Sequence, residues 1–304
     1  MSDFGFRPFF SSDEATDSIY VSHRDHGTKA QIKAMIEDMW LRYAPVCPDN
    51  HKDFLTDARS HFVQRVWEMY LANVIMGQFK LQKPPPEGPD ILFEHEGVRY
   101  WVEAVSPGPG EGPNAVPQRS PDNNLVPMIP AGKLLLRLTH AMREKELKFE
   151  KYRAKGIVNE DDACVIAVNI SGIRDADLFD QDGPMAVRAL FPVGEVVLRF
   201  KAGSSDQPVI DRNLRRGVLK KKFGPDGPES DEFIPTDLFL DPRSASISCM
   251  FYSSWGIWFN PEPLGRDIYV IHNPQAKVPI AKDLLQFGRE HIWLDGHNLH
   301  RERR

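Results

Sequence analysis

Cysteine is scarce in this chain of 304 residues: Cys47, Cys164 and Cys249 lie far apart and form no CxxC pair. That argues against a disulfide framework and a structural zinc site, and it fits a reducing compartment. Long apolar runs are missing too, since none approaches the roughly 18 residues of a membrane span. The opening "MSDFGFRPFFSSDEATDS" lacks the basic and apolar regions of a secretory signal, so a cytoplasmic setting without a membrane partner is expected. There is no GxxxxGK[ST] loop to cradle ATP, and Ser253 and Ser254 lack the GxSxG setting of a nucleophile elbow. No charge of one sign dominates. A net charge of −5 argues against blanket nucleic-acid binding but leaves room for a local basic patch. Glycine (21) is outnumbered by proline (25), so many loops should be stiff.

What remains is an ordinary globular composition, long enough for one large domain or two modest ones. Residues 1–24 are polar with scattered Phe and read as a loose arm. Helical spacing runs through residues 29–44 at Ile32, Met35, Ile36, Met39 and Trp40. A stronger helix is expected over 57–78, with Asp57 as its N-cap and Gly77 as its end. A short strand at 79–82 precedes a hairpin, a Pro/Gly-rich loop "SPGPGEGPNAVPQRSPDNN", a long helix over 131–156 and a buried strand over 162–171. Strand-like "EVVLRF", "SASISCMFYSSWGIWF" and "RDIYVIHNP" follow, and the tail "HNLHRERR" reads as solvated. The expected class is α/β. An N-terminal arm and helix occupy 1–56, a core 57–171, and a C-terminal α+β extension packed on that core 172–304.

The hairpin "PDILFEHEGVRYWVEA" carries the chemistry. If Glu96-Gly97 form its turn, His95 meets Val98, and counting outward Glu94 faces Arg99 and Asp90 faces Glu103. One face then holds Ile91, Phe93, Tyr100, Val102 and Ala104. The other holds Asp90, Leu92, Glu94, Arg99, Trp101, Glu103 and Val105. Glu94 has Arg99 as a partner, whereas two like charges stand opposite each other at Asp90 and Glu103, about 5 Å apart at Cβ. A divalent cation such as Mg²⁺ or Mn²⁺ would relieve that repulsion. One loop residue more or less would instead leave both carboxylates at solvated strand ends.

Pro89-Asp90, a hairpin, and Glu103 at the end of the next strand resemble the motif of the PD-(D/E)xK, restriction-endonuclease-like nucleases. The order helix, three strands, helix, strand over 57–171 matches that family's core. The resemblance implies a mixed sheet flanked by helices, with Asp90, Glu103 and the Ala104 carbonyl as Mg²⁺ (or Mn²⁺) ligands. Many members add a glutamate from the first core helix, the place of Glu68, although Glu68 could equally pair with Arg65 on its own helix. The pattern departs at Val105, where the family has lysine. Some members recruit that cation from elsewhere. Here Lys145, Lys148, Lys133 and Lys80 are the candidates, Lys145 first.

Elsewhere, Arg212, Arg215, Arg216, Lys220, Lys221 and Lys222 gather positive charge in "RNLRRGVLKKKFG", either as phosphate contacts or as an exposed charged loop. His272 and Asn273 fit a turn closed by Asn-Pro. His291, His297 and His300 are too loosely spaced for a helical metal site. The expected function is metal-dependent hydrolysis of DNA or RNA phosphodiesters. The alternatives are a nuclease-fold module that binds nucleic acid or protein without cutting, and a metal-dependent enzyme acting on a small phosphorylated substrate.

Overall fold

β-branched strands that are apolar on both sides need cover on both faces, and helices supply it. The computed structural model describes residues 6–118, 130–180, 183–199, 209–224, 227–256, 263–294 and 298–301. Helices α1 (Ser18–Asp25), α2 (Ala30–Tyr43), α3 (His51–Ala58) and α4 (Phe62–Met76) come first. Strands β1 (Leu81–Gln82), β2 (Ile91–His95) and β3 (Val98–Val105) follow, then α5 (Ala131–Ala154) and β4 (Ala163–Asn169). Next come α6 (Met185–Leu190) and two hairpins, β5 (Val193–Arg199) with β6 (Val209–Leu214) and β7 (Gly217–Gly224) with β8 (Gly227–Pro235). The last strands are β9 (Cys249–Ser253), β10 (Tyr269–His272), β11 (Arg289–Leu294) and β12 (Asn298–Arg301).

Eight of these strands form one mixed sheet in the order β1-β2-β3-β4-β9-β10-β11-β12. β4 runs parallel to both β3 and β9, so the chain beyond residue 171 extends the same sheet. Alternation along the strands divides two apolar layers. Phe93, Tyr100, Val102 and Ala104 join α2 and α4 on one side. Leu92, Trp101, Ile166 and Met250 join α5 and α6 on the other. The protein is therefore α/β, with helices on both faces of the sheet. No helix among the described residues is long and apolar enough to cross a membrane.

Four expectations need correction. From residue 6 onward the N-terminal arm is not loose: Phe9 and Phe10 are buried, and their backbone N–H groups donate to the Glu37 carboxylate at 2.8 and 3.0 Å. Helical spacing across 57–78 conceals a break between α3 and α4. Asp57 lies in the last turn of α3 rather than capping α4; Asp17, N-cap of α1, also accepts the Phe62 N–H at 3.1 Å. Apart from Arg215 and Arg216, which join β6 to β7, the basic stretch is strand, and its register sets Lys220 opposite Glu232 and Lys221 opposite Asp231. Arg215 pairs with Glu195, Arg216 with Asp237 at 4.0 Å, and Lys222 with Glu232 at 3.6 Å, so much of its charge is met locally. Finally, residues 298–301 of the supposedly solvated tail pair with β11. His297, residues 119–124 of the Pro/Gly-rich segment and residues 125–129 after it lie outside the described residues.

Candidate active site

Glu96 (φ 50°) and Gly97 (φ 80°) both adopt the left-handed conformation that a two-residue hairpin turn requires. The register follows from it: His95 pairs with Val98, and Ile91 with Val102. Asp90 lies one residue before β2 and Glu103 lies within β3, where it is buried. The Asp90 carboxylate accepts the Ala104 N–H at 2.7 Å. Arg99, although opposite Glu94, turns its guanidinium to Asp162 with contacts of 3.0 and 2.7 Å. Asp162 is buried and also accepts from the Trp101 indole, so it outcompetes the exposed Glu94.

Asp90 and Glu103 open onto a cleft of about 430 Å³ between α4, the hairpin and α5. Helix α5 contributes Lys145, Lys148 and Tyr152, spaced three and four residues apart and therefore on one face. Glu103 Oε1 accepts from Lys145 Nζ at 2.7 Å and from Lys148 Nζ at 2.9 Å, while Oε2 accepts from the Tyr152 hydroxyl at 3.1 Å. Lys145 is buried, whereas Lys148 keeps 42% of its side chain exposed. Burial works against the Lys148 charge, but the Glu103 carboxylate outweighs it and holds the ammonium above its usual range. Burial, reinforced by Glu103, pushes the Tyr152 phenol up as well, so it stays a donor.

Helix α4 closes the opposite wall. Glu68 is buried, accepts from Gln64 Nε2 at 2.7 Å and pairs with Arg65 at 2.8 Å. Gln64 also ties α4 to the end of β3: its Nε2 donates to the Ala104 carbonyl at 3.3 Å and its Oε1 accepts the Ser106 N–H at 2.6 Å. Burial raises Glu68 above the ordinary carboxylate value, with Arg65 opposing that shift. Asp90 is pushed well above its usual range, first by burial and then by the charges of Glu103 and Glu68.

The cleft thus brings together Asp90, Glu103, Ala104, Glu68, Lys145 and Lys148, all singled out from sequence. Lys80 and Lys133 do not line it, nor do Arg212, Arg215, Arg216, Lys220, Lys221 or Lys222. Glu68 pairs with Arg65 and also lines the cleft, buried rather than at the surface. Tyr152 and Gln64 were not foreseen. The spacing of Lys145, Lys148 and Tyr152 could have shown the first, but nothing local announces a glutamine that bridges to a strand forty residues away.

The donor set suits a hard cation. Asp90, Glu103 and the Ala104 carbonyl are oxygen donors, and the crowding that raises Asp90 is what a divalent ion would relieve. Among the described residues no group of three or more His, Cys, Asp or Glu is arranged to hold a metal ion, so two carboxylates and a carbonyl would leave the remaining positions to water.

Arg65 carries much of this wall. It pairs with Glu68, with Asp57 at 2.6 Å and with Asp49 at 3.1 Å, and it lies over the Phe54 ring. Arg65→Met is expected to cost about 3–5 kcal/mol in urea unfolding at pH 8, because it strands the buried Glu68 charge. The loss should shrink as pH falls, because burial raises Glu68 and without its cation it takes up a proton more readily. A loss under about 1 kcal/mol at pH 8, typical of exposed pairs, would refute this account.

No family model, curated protein or solved structure matches this chain.

Proposed function

We infer that this protein is a divalent-metal-dependent nuclease, hydrolysing phosphodiester bonds of DNA or RNA from a restriction-endonuclease-like core. One observation carries the reading: Lys145 reaches Glu103 from α5, so an ammonium stands beside the motif glutamate although Val105 occupies the motif lysine's position. Val105 itself packs into the apolar layer beneath α5. The strand order β1-β2-β3-β4, with β4 parallel to β3, adds support.

In this reading Asp90, Glu103 and the Ala104 carbonyl hold Mg²⁺ or Mn²⁺, with Glu68 behind them. The bound ion supplies Lewis acidity and eases deprotonation of water. Lys145 steadies charge that develops at the attacked phosphate, and Gln64 fixes the Ala104 carbonyl against α4. Arg212, Arg215, Arg216 and Lys220 to Lys222 contribute longer-range attraction for phosphate, moderated by their acidic neighbours.

A second reading has its own support. Three donors already bind Glu103, as in a carboxylate adapted to ammonium partners rather than to metal. On that reading the fold is a non-cutting module for nucleic acid or protein. Single- and double-stranded DNA and RNA, incubated with Mn²⁺ or Mg²⁺, separate the two. The nuclease reading expects cleavage that stops on adding EDTA. Absence of both cleavage and calorimetric Mn²⁺ binding would favour the module.

A further inference from the structure

A second cleft, of about 330 Å³, lies between the first half of α5, the β7/β8 hairpin and the loop after β3. It shares no lining residue with the acidic cleft. Leu136 and Ile234 give it apolar walls, and Arg137 and Lys220 give it positive charge against a single exposed acid, Glu111. Arg143 also lines it but is already matched by Glu146 at 2.6 Å and Asp241 at 2.9 Å. No carboxylate among the described residues pairs with Arg137 or Lys220.

The cleft is built rather than incidental. Arg137 Nε donates to the Gly108 carbonyl at 2.9 Å, which fixes the guanidinium and leaves its terminal N–H groups without an acidic partner. Gly110, at φ +81°, lets the loop lie against that guanidinium, where a Cβ would stand 3.1 Å from its nitrogen. Asn114 fastens the loop to β7, accepting from the Lys221 N–H at 2.9 Å and donating to its carbonyl at 2.7 Å. Two cations without acidic partners beside an apolar wall, in a volume within the roughly 300–1,000 Å³ of ligand clefts, suit an anion with a flat apolar body. Guanidinium and ammonium donors match phosphate oxygens.

We propose that this cleft binds a nucleotide unit, with the base against Leu136 and Ile234 and the phosphate at Arg137 and Lys220. The unit is either a free mononucleotide or one residue of a strand. Neither arm depends on the nuclease reading, because binding is measured without metal and on the Asp90→Asn protein.

Calorimetry with adenosine and uridine 5′-monophosphates, the unphosphorylated nucleosides, inorganic phosphate and a ten-residue single-stranded oligonucleotide tests the proposal. A mononucleotide that binds more tightly than phosphate or its nucleoside, and at least tenfold more weakly to Arg137→Gln and Lys220→Ala, identifies a free ligand. Binding of the oligonucleotide alone, weakened tenfold by the same two changes, identifies a strand residue. Lys220 is exposed, so its replacement reports binding even if Arg137→Gln disturbs the loop. No binding of any probe, affinities indifferent to Lys220→Ala, or phosphate alone binding as tightly as the nucleotides overturns the assignment.

Discussion

Asp90→Asn and Glu103→Gln are both expected to abolish metal-dependent cleavage, by about 10³-fold or more, yet to move stability in opposite directions. Asp90 sits in the native protein with its proton affinity raised by burial and by the charges of Glu103 and Glu68. A carboxyl raised in this way binds more protons folded than unfolded, so its contribution to stability is present at low pH and falls as pH rises through the raised value. Asn removes that loss. The metal-free variant should be more stable than the parent by about 1 kcal/mol above the raised value, and the gain should vanish below the ordinary carboxylate range. Glu103→Gln acts on stability the other way through lost contacts, since Gln leaves Lys145 and Lys148 beside a neutral amide. Lys148 can turn to solvent, but the buried Lys145 cannot, and a loss of about 3 kcal/mol is expected. Thermal melts across pH without metal check both signs. Matching losses in the two variants would place the carboxylates in one structural role and sink their division of labour.

That opposition was not legible in the sequence. The hairpin register was, because a two-residue turn with glycine fixes every pair outward from it, and Ile91 does meet Val102. The register gives strand neighbours only. It made Asp90 and Glu103 a matched pair without partners, whereas Glu103 has three partners supplied by α5. For the same reason Arg99 was given to Glu94, its strand neighbour, when Asp162 on the approach to β4 claims it. Helix periodicity had a similar limit. It located α4 but ran through the break at residues 59–61, because the α3 and α4 apolar stripes lie nearly in phase and the carboxylate that accepts the Phe62 N–H, Asp17, is 45 positions away. Local rules find elements and register; the partners of buried charges come from contacts distant in sequence.

Lys145→Met should lower turnover by about 10² to 10³-fold while leaving metal affinity unchanged or slightly tighter. The direction follows from what Lys145 touches. Its ammonium competes with a cation for Glu103 Oε1, so removing it frees a ligand, but it also removes the buried positive charge nearest the motif. Met keeps most of the aliphatic stem, and Lys148 still pairs with Glu103, so the fold should survive. Lys148→Met should have a smaller effect on turnover, since its more exposed ammonium is screened by solvent. The complementary change is Val105→Lys in the Lys145→Met background. Val105 lies two residues after Glu103 on the same side of β3, in the layer covered by α5, so a lysine there can enter the space that Lys145 leaves. Partial recovery of turnover in the double variant, with Mn²⁺ affinity held constant by calorimetry, would show that the charge matters more than the element carrying it. Undiminished turnover in Lys145→Met would remove the lysine from the mechanism and leave activity to the metal and the two carboxylates.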